Sequence, residues 1–127
     1  MKLLLDTTVL IDVLRDRNGR RELLADMVRA GHTLCTSVMN VAEVYRGLRA
    51  GEEVRTEALL DGLEEFEIGG RAARAAGKLK MTWSKKGRTV SLADAIVAAI
   101  AIEQGCALLS DNRKDFPMPE LRLYPLP

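Results

Sequence analysis

The chain is 127 residues long with 47% hydrophobic and 29% charged residues, which suits one folded domain over residues 1–127 and excludes a disordered chain. Nineteen Lys plus Arg against eighteen Asp plus Glu leave a net charge of +1, so bulk charge announces neither a nucleic-acid nor a membrane partner. One His and two Cys are too few for a four-ligand zinc centre, leaving carboxylates to carry any catalysis, and five scattered aromatics exclude a base-stacking platform.

Lys2 to Leu5 reads as a short strand buried on both faces and ending at Asp6. Asp6 and Asp12 interrupt this apolar start, so it does not read as a secretory leader. Val9, Leu10, Val13 and Leu14 recur at helical spacing, as do Leu23, Leu24, Met27 and Val28 in a second helix that Gly31 ends. Thr33 to Thr36 is a second strand, and Val38 to Leu48 a helix running towards Gly51 with Glu43 inside it. Glu52 to Leu63 continues as a helix, and Phe66 to Ile68 is a brief third strand before Gly69 and Gly70. The Ala- and Arg-rich stretch Arg71 to Trp83 is built of helix formers and stops at Gly87.

Ser91 and Asp94 form a capping box, with Asp in place of the usual Glu, opening an apolar helix that Gly105 closes. That apolar run, Ala95 to Ile102, is far too short to span a bilayer. Ala107 to Leu109 is a strand leading into Ser-Asp-Asn-Arg-Lys-Asp, and Leu121 to Tyr124 a last strand between prolines. Cys35 and Cys106 sit in short apolar segments as free buried thiols, which predicts a reduced, cytoplasmic setting. Alternating strands and helices give an α/β fold with a mostly parallel sheet covered on both faces.

Open parallel sheets bind ligands at the carboxyl ends of their strands, where Asp6 and Asp111 fall. Glu43, about two helical turns after the second strand, and Asp94, in the first turn of the apolar helix, are each able to point to the same edge. Carboxylates brought this close raise one another's pKa unless a cation compensates. An all-oxygen donor set selects Mg²⁺ or Mn²⁺, and the matching reaction is phosphodiester hydrolysis. Each residue also has a plainer role open to it. Asp6 can N-cap the next helix, Asp94 can close its capping box, and Glu43 can pair with Arg46. Asp111 can serve turn chemistry, leaving Asn112 or Asp115 to face the site.

Four blocks carry a family resemblance: Leu-Leu-Leu-Asp6-Thr7-Thr-Val-Leu-Ile-Asp, Ser37-Val-Met-Asn-Val-Ala-Glu43-Val-Tyr-Arg-Gly-Leu, Leu-Ala-Asp94-Ala-Ile-Val-Ala-Ala-Ile-Ala, and Leu-Leu-Ser110-Asp-Asn-Arg-Lys-Asp115-Phe116. In this order, across nearly the whole chain, they resemble the PIN domain and within it the VapC toxins. The resemblance implies a three-layer sandwich with a short, mostly parallel central sheet flanked by helices. It also implies a Mg²⁺- or Mn²⁺-dependent endoribonuclease, commonly dimeric, held inactive by a cognate VapB-type antitoxin. Asp6, Glu43 and Asp94 match the family's first three acids. Ser110 matches the Thr of its fourth block and Asn112 the last place, so Asp111 falls one residue early. Thr7 and Ser37 match hydroxyl or small polar positions that support the acids, and Asn40 stands where members often have a hydroxyl. The roles this implies are metal binding by Asp6 and Asp94, water activation by Glu43, and completion of the site by Asp111 or Asn112.

The competing reading is a PIN-like fold without activity, serving as an RNA-binding or protein-interaction module. An aspartyl-nucleophile phosphatase would need an Asp where Thr8 stands, and no Gly-x-Gly-x-x-Gly follows Leu5 for dinucleotide binding. The near-zero net charge hides a segregation. Arg71, Arg74, Lys78, Lys80, Lys85, Lys86 and Arg88 form a run without an acid, a candidate surface for drawing RNA phosphates towards the acidic site.

Overall fold

A computed structural model describes residues 1–127. Its core is a five-stranded, all-parallel sheet of β1 (Lys2–Leu5), β2 (Thr33–Ser37), β3 (Glu64–Phe66), β4 (Ala107–Leu109) and β5 (Arg122–Leu123), in the order β3-β2-β1-β4-β5. The helices are α1 (Thr7–Leu14), α2 (Arg20–Arg29), α3 (Val38–Arg46), α4 (Glu53–Asp61), α5 (Gly70–Lys85) and α6 (Leu92–Glu103), with one 3₁₀ turn at Arg113–Asp115. No helix is long and apolar enough to cross a membrane.

Successive side chains of a strand point to opposite faces, and β1 shows the consequence. Leu3 and Leu5 enter a cluster with residues of α1, α2, α3 and α4, whereas Leu4 packs on the other face with α5 and α6. All three leucines are fully buried, as expected of a central parallel strand covered on both sides. The three-layer α/β sandwich is therefore the observed fold. From β1 the chain winds outward to β2 and β3, then returns to add β4 and β5 on the opposite side. This reversal leaves a crevice beyond the carboxyl end of β1, the place where such sheets take ligands.

The elements follow the periodicities closely, with three shifts. The third strand is Glu64–Phe66, two residues earlier than the apolar letters Phe66 to Ile68 suggest. It is an edge strand paired only with β2, so Glu64 and Glu65 face solvent and only Phe66 is buried. Lys2 Nζ ties this edge to β1 through Glu64 Oε1 at 3.1 Å. The third helix stops at Arg46, and Glu52 sits before the next helix as a buried carboxylate. Arg15 Nε donates to Glu52 Oε2 at 3.2 Å and the Arg49 backbone N–H to Oε1 at 2.8 Å, which holds its pKa below the usual carboxylate range. Fixing those residues in a loop ends any continuous helix from Val38 to Leu63. The fifth helix runs one residue earlier and two later than its Ala-rich stretch.

Candidate active site

Asp6 emerges directly from β1 and is 5% exposed. Ser110, one residue beyond β4, donates its Oγ–H to Asp6 Oδ2 at 2.6 Å. Asn40, in the first turn of α3, donates Nδ2–H to Asp6 Oδ1 at 3.2 Å and to Thr7 Oγ1 at 3.1 Å. The Thr7 hydroxyl in turn donates to Glu43 Oε1 at 2.7 Å. Ser37, the N-cap of α3, accepts the Asn40 backbone N–H at 3.3 Å and gives its own proton to Asn40 Oδ1 at 2.5 Å. Asp94 lies in the first turn of α6, held there by its backbone N–H donating to the N-cap Ser91 at 3.1 Å.

The electrostatics tie these acids together. Burial pushes the Asp6 carboxyl above its ordinary value of 3.8, the Glu43 charge adding to the rise, while the bonds from Ser110, Thr7 and Asn40 oppose it. Burial also raises Asp94, opposed by its bond with Ser91, and the negative charges of Asp6, Asp115 and Glu43 raise it further. Asp6, Glu43, Asp94 and Asp115 thus share one negative field at the crevice.

Asp111 does something else. Its Oδ1 accepts from Arg20 Nη2 at 2.7 Å, and that arginine is 5% exposed and also bonds the backbone carbonyls of Asn18 and Pro127. The pair fastens the segment after β4 to the start of α2. Asn112 reaches the site through its backbone, its N–H donating to Ser110 Oγ at 3.0 Å. Asp115, in the same segment, is among the charges that raise Asp94. We expect Arg20→Leu to lower stability by about 2 kcal/mol, the loss expected of a buried pair discounted for the partial exposure of Asp111. An unchanged urea midpoint would show that the pair is not structural.

Sequence reasoning undervalued Asn40. The signal was present: Asn40 and Val44 stand four residues apart and are the two buried residues of α3, so a polar side chain occupies a core-facing position. Arg20 carried no such signal, because its partner lies 91 residues away.

The basic run divides. Lys80 Nζ donates to the Val90 carbonyl at 2.7 Å and Arg88 to the Lys114 carbonyl, so both brace loops around the site. Arg71, Arg74, Lys78, Lys85 and Lys86 are exposed. Trp83 is half-buried, with Lys86 Nζ 4.4 Å from its ring centre. A groove of about 560 Å³ follows α5 past Trp83 and is lined by none of the four clustered acids.

An all-oxygen set that repels itself suits a hard divalent cation. No three acidic, His or Cys side chains are arranged closely enough to form a ready-made cage for an ion. What the residues share with such a site is the chemistry of the donor set, carboxylate oxygens on Asp6 and Asp94 with no His or Cys beside them.

A sequence model of the PIN domain matches residues 3–118. Ribonuclease VapC19 of Mycobacterium tuberculosis is 30% identical over 120 residues, covering 94% of this chain and 96% of that protein. Ribonuclease VapC2 of Haemophilus influenzae is 29% identical over 121 residues, covering 91% and 90%. Among solved structures, the VapBC2 complex of Rickettsia felis bound to a promoter DNA fragment superposes with a TM-score of 0.87 at 21% identity, covering 98% of each chain. A toxin–antitoxin complex from Klebsiella pneumoniae gives 0.78 at 26% identity, covering 94% of each. With the acids gathered at the carboxyl edge of a parallel sheet and these relatives spanning nearly its whole length, the chain belongs to the PIN-domain family, in its VapC branch.

Proposed function

We propose that this protein is an endoribonuclease toxin of a toxin–antitoxin pair, hydrolysing RNA phosphodiester bonds with Mg²⁺ or Mn²⁺ in the cytoplasm. The observation that carries the reading is the arrangement at the end of β1, where buried Asp6 is held on both oxygens by Ser110 and Asn40 and is linked to Glu43 through Thr7. A bound divalent ion would polarise the scissile phosphate and stabilise charge on the leaving oxygen. Asp6 and Asp94 would hold the ion. Glu43, with Oε1 fixed by the Thr7 hydroxyl, has its other oxygen available to orient and deprotonate the attacking water. Asp115 completes the negative set, and Ser110 and Asn40 keep both Asp6 oxygens in place.

The six exposed cations of α5 and the turn after it, Arg88 among them, draw RNA to a site whose own charge repels phosphate. A VapB-type antitoxin as partner is supported by structural relatives that are VapBC complexes, and a homodimeric state is part of the same proposal. Calorimetric titration with Mn²⁺ and cleavage of single-stranded RNA with and without EDTA test the reading. We expect heat of binding at neutral pH and cleavage abolished by the chelator. Absence of metal binding would favour the inactive RNA-binding or interaction module.

A further inference from the structure

Asn40 is fully buried, and each of its side-chain hydrogen bonds goes to the acid site or its supports. An amide has distinct ends, two donors on nitrogen and an acceptor on oxygen, so its neighbours decide which way it faces. The Ser37 hydroxyl has one proton and gives it to Asn40 Oδ1 at 2.5 Å. This turns Nδ2 towards Asp6 Oδ1 at 3.2 Å and Thr7 Oγ1 at 3.1 Å. A flipped amide would set its oxygen against the Asp6 carboxylate, two acceptors facing each other. Thr7, already accepting from the amide, has its single proton left for Glu43 Oε1 at 2.7 Å. Donation therefore runs from Ser37 through Asn40 and Thr7 to Glu43, with a branch to Asp6. Glu43 Oε2 receives no donor from the protein.

We propose that Asn40 is a positioning residue that fixes the metal-side acid Asp6 and the water-side base Glu43 relative to one another through one amide group. The inference rests on the nuclease reading for its kinetic consequence but not for its hydrogen bonds. A hydroxyl at this position has one proton and could serve Asp6 or Thr7 but not both. An amide serves both.

Two measurements test it. In the metal-free protein, the Asn40 side-chain amide protons, read by nitrogen-edited NMR, exchange slowly with solvent and shift in Thr7→Val. In RNA cleavage with Mn²⁺, Asn40→Ala lowers kcat about 10–100-fold, the usual cost of losing a group that orients a metal ligand, with KM nearly unchanged. Asn40→Thr recovers only part of that loss. Adding Thr7→Val to Asn40→Ala costs little more, because both break the same chain of donation. Exchange at the rate of a free amide overturns the proposal, as do additive losses or full rescue by Asn40→Thr. If Asn40→Ala does not fold, the amide readout in the wild type and Thr7→Val still decides. A wild type inactive on RNA would overturn the nuclease reading, while the amide exchange would still report on the donation chain.

Discussion

Asp94→Asn should abolish most RNA cleavage and, in chelator, make the protein more stable at neutral pH. The first effect follows from the ion-holding role proposed for it. Charge stabilisation by a bound metal is worth several kcal/mol, and about 1.4 kcal/mol is a factor of ten, so a loss of at least about a hundredfold is expected. The second follows from the direction of its pKa. Burial, then the charges of Asp6, Asp115 and Glu43, raise the folded-state value above 3.8. A group raised on folding contributes stability below its unfolded pKa and loses it as pH climbs through the folded value. At neutral pH the Asp94 carboxylate is therefore a cost that the amide removes.

The start of α6 opposes this, since a helix N-terminus favours a carboxylate by about 0.3–1 kcal/mol. The net upward shift says that burial and like charge outweigh such local support. Thermal melts of both proteins in EDTA should show the variant melting higher at pH 7, with the gap closing as pH falls below the carboxylate range. Mn²⁺ at about a hundred times its Kd should stabilise the wild type by about 2.7 kcal/mol and the variant much less. A variant that melts lower than the wild type in EDTA at pH 7 would sink the argument that the acids repel one another.

Where the sequence was legible, the reason is burial. β1, β2 and β4 are short apolar runs because their residues are covered by helices, and α6 is apolar nearly all round because it lies against the sheet. The edge strand β3 gave a weaker signal, since its two glutamates face water and only Phe66 faces the core. The same distinction holds at the site. Asp6 and Asp94 follow a strand end and a helix cap, where spacing and geometry are linked. Glu43 sits on a helix whose buried positions, Asn40 and Val44, orient it. The segment after β4 has no period: it is a bend and a 3₁₀ turn, and a one-residue shift there moves an acid into or out of the crevice. What sets Asp111 apart from Asp115 is Arg20, a buried partner from a distant helix that no local pattern announces.

That difference can be measured. Asp115→Asn should lower cleavage about 10–100-fold, as for a carboxylate whose field acts directly on an ion holder. It should also relieve Asp94 of one like charge, bringing the pKa of that carboxyl down towards its ordinary value in the metal-free protein. Asp111→Asn should leave the Asp94 titration where it is and affect cleavage little, because its carboxylate is occupied by Arg20 at 2.7 Å. Its consequence should appear in folding stability instead, as the buried guanidinium of Arg20 loses its countercharge. Carbon-detected NMR titration of the Asp94 carboxyl, run beside single-turnover cleavage, separates the two residues. If Asp111→Asn lost cleavage as severely as Asp94→Asn while melting like the wild type, Asp111 would be the fourth acid and Asp115 a surface residue.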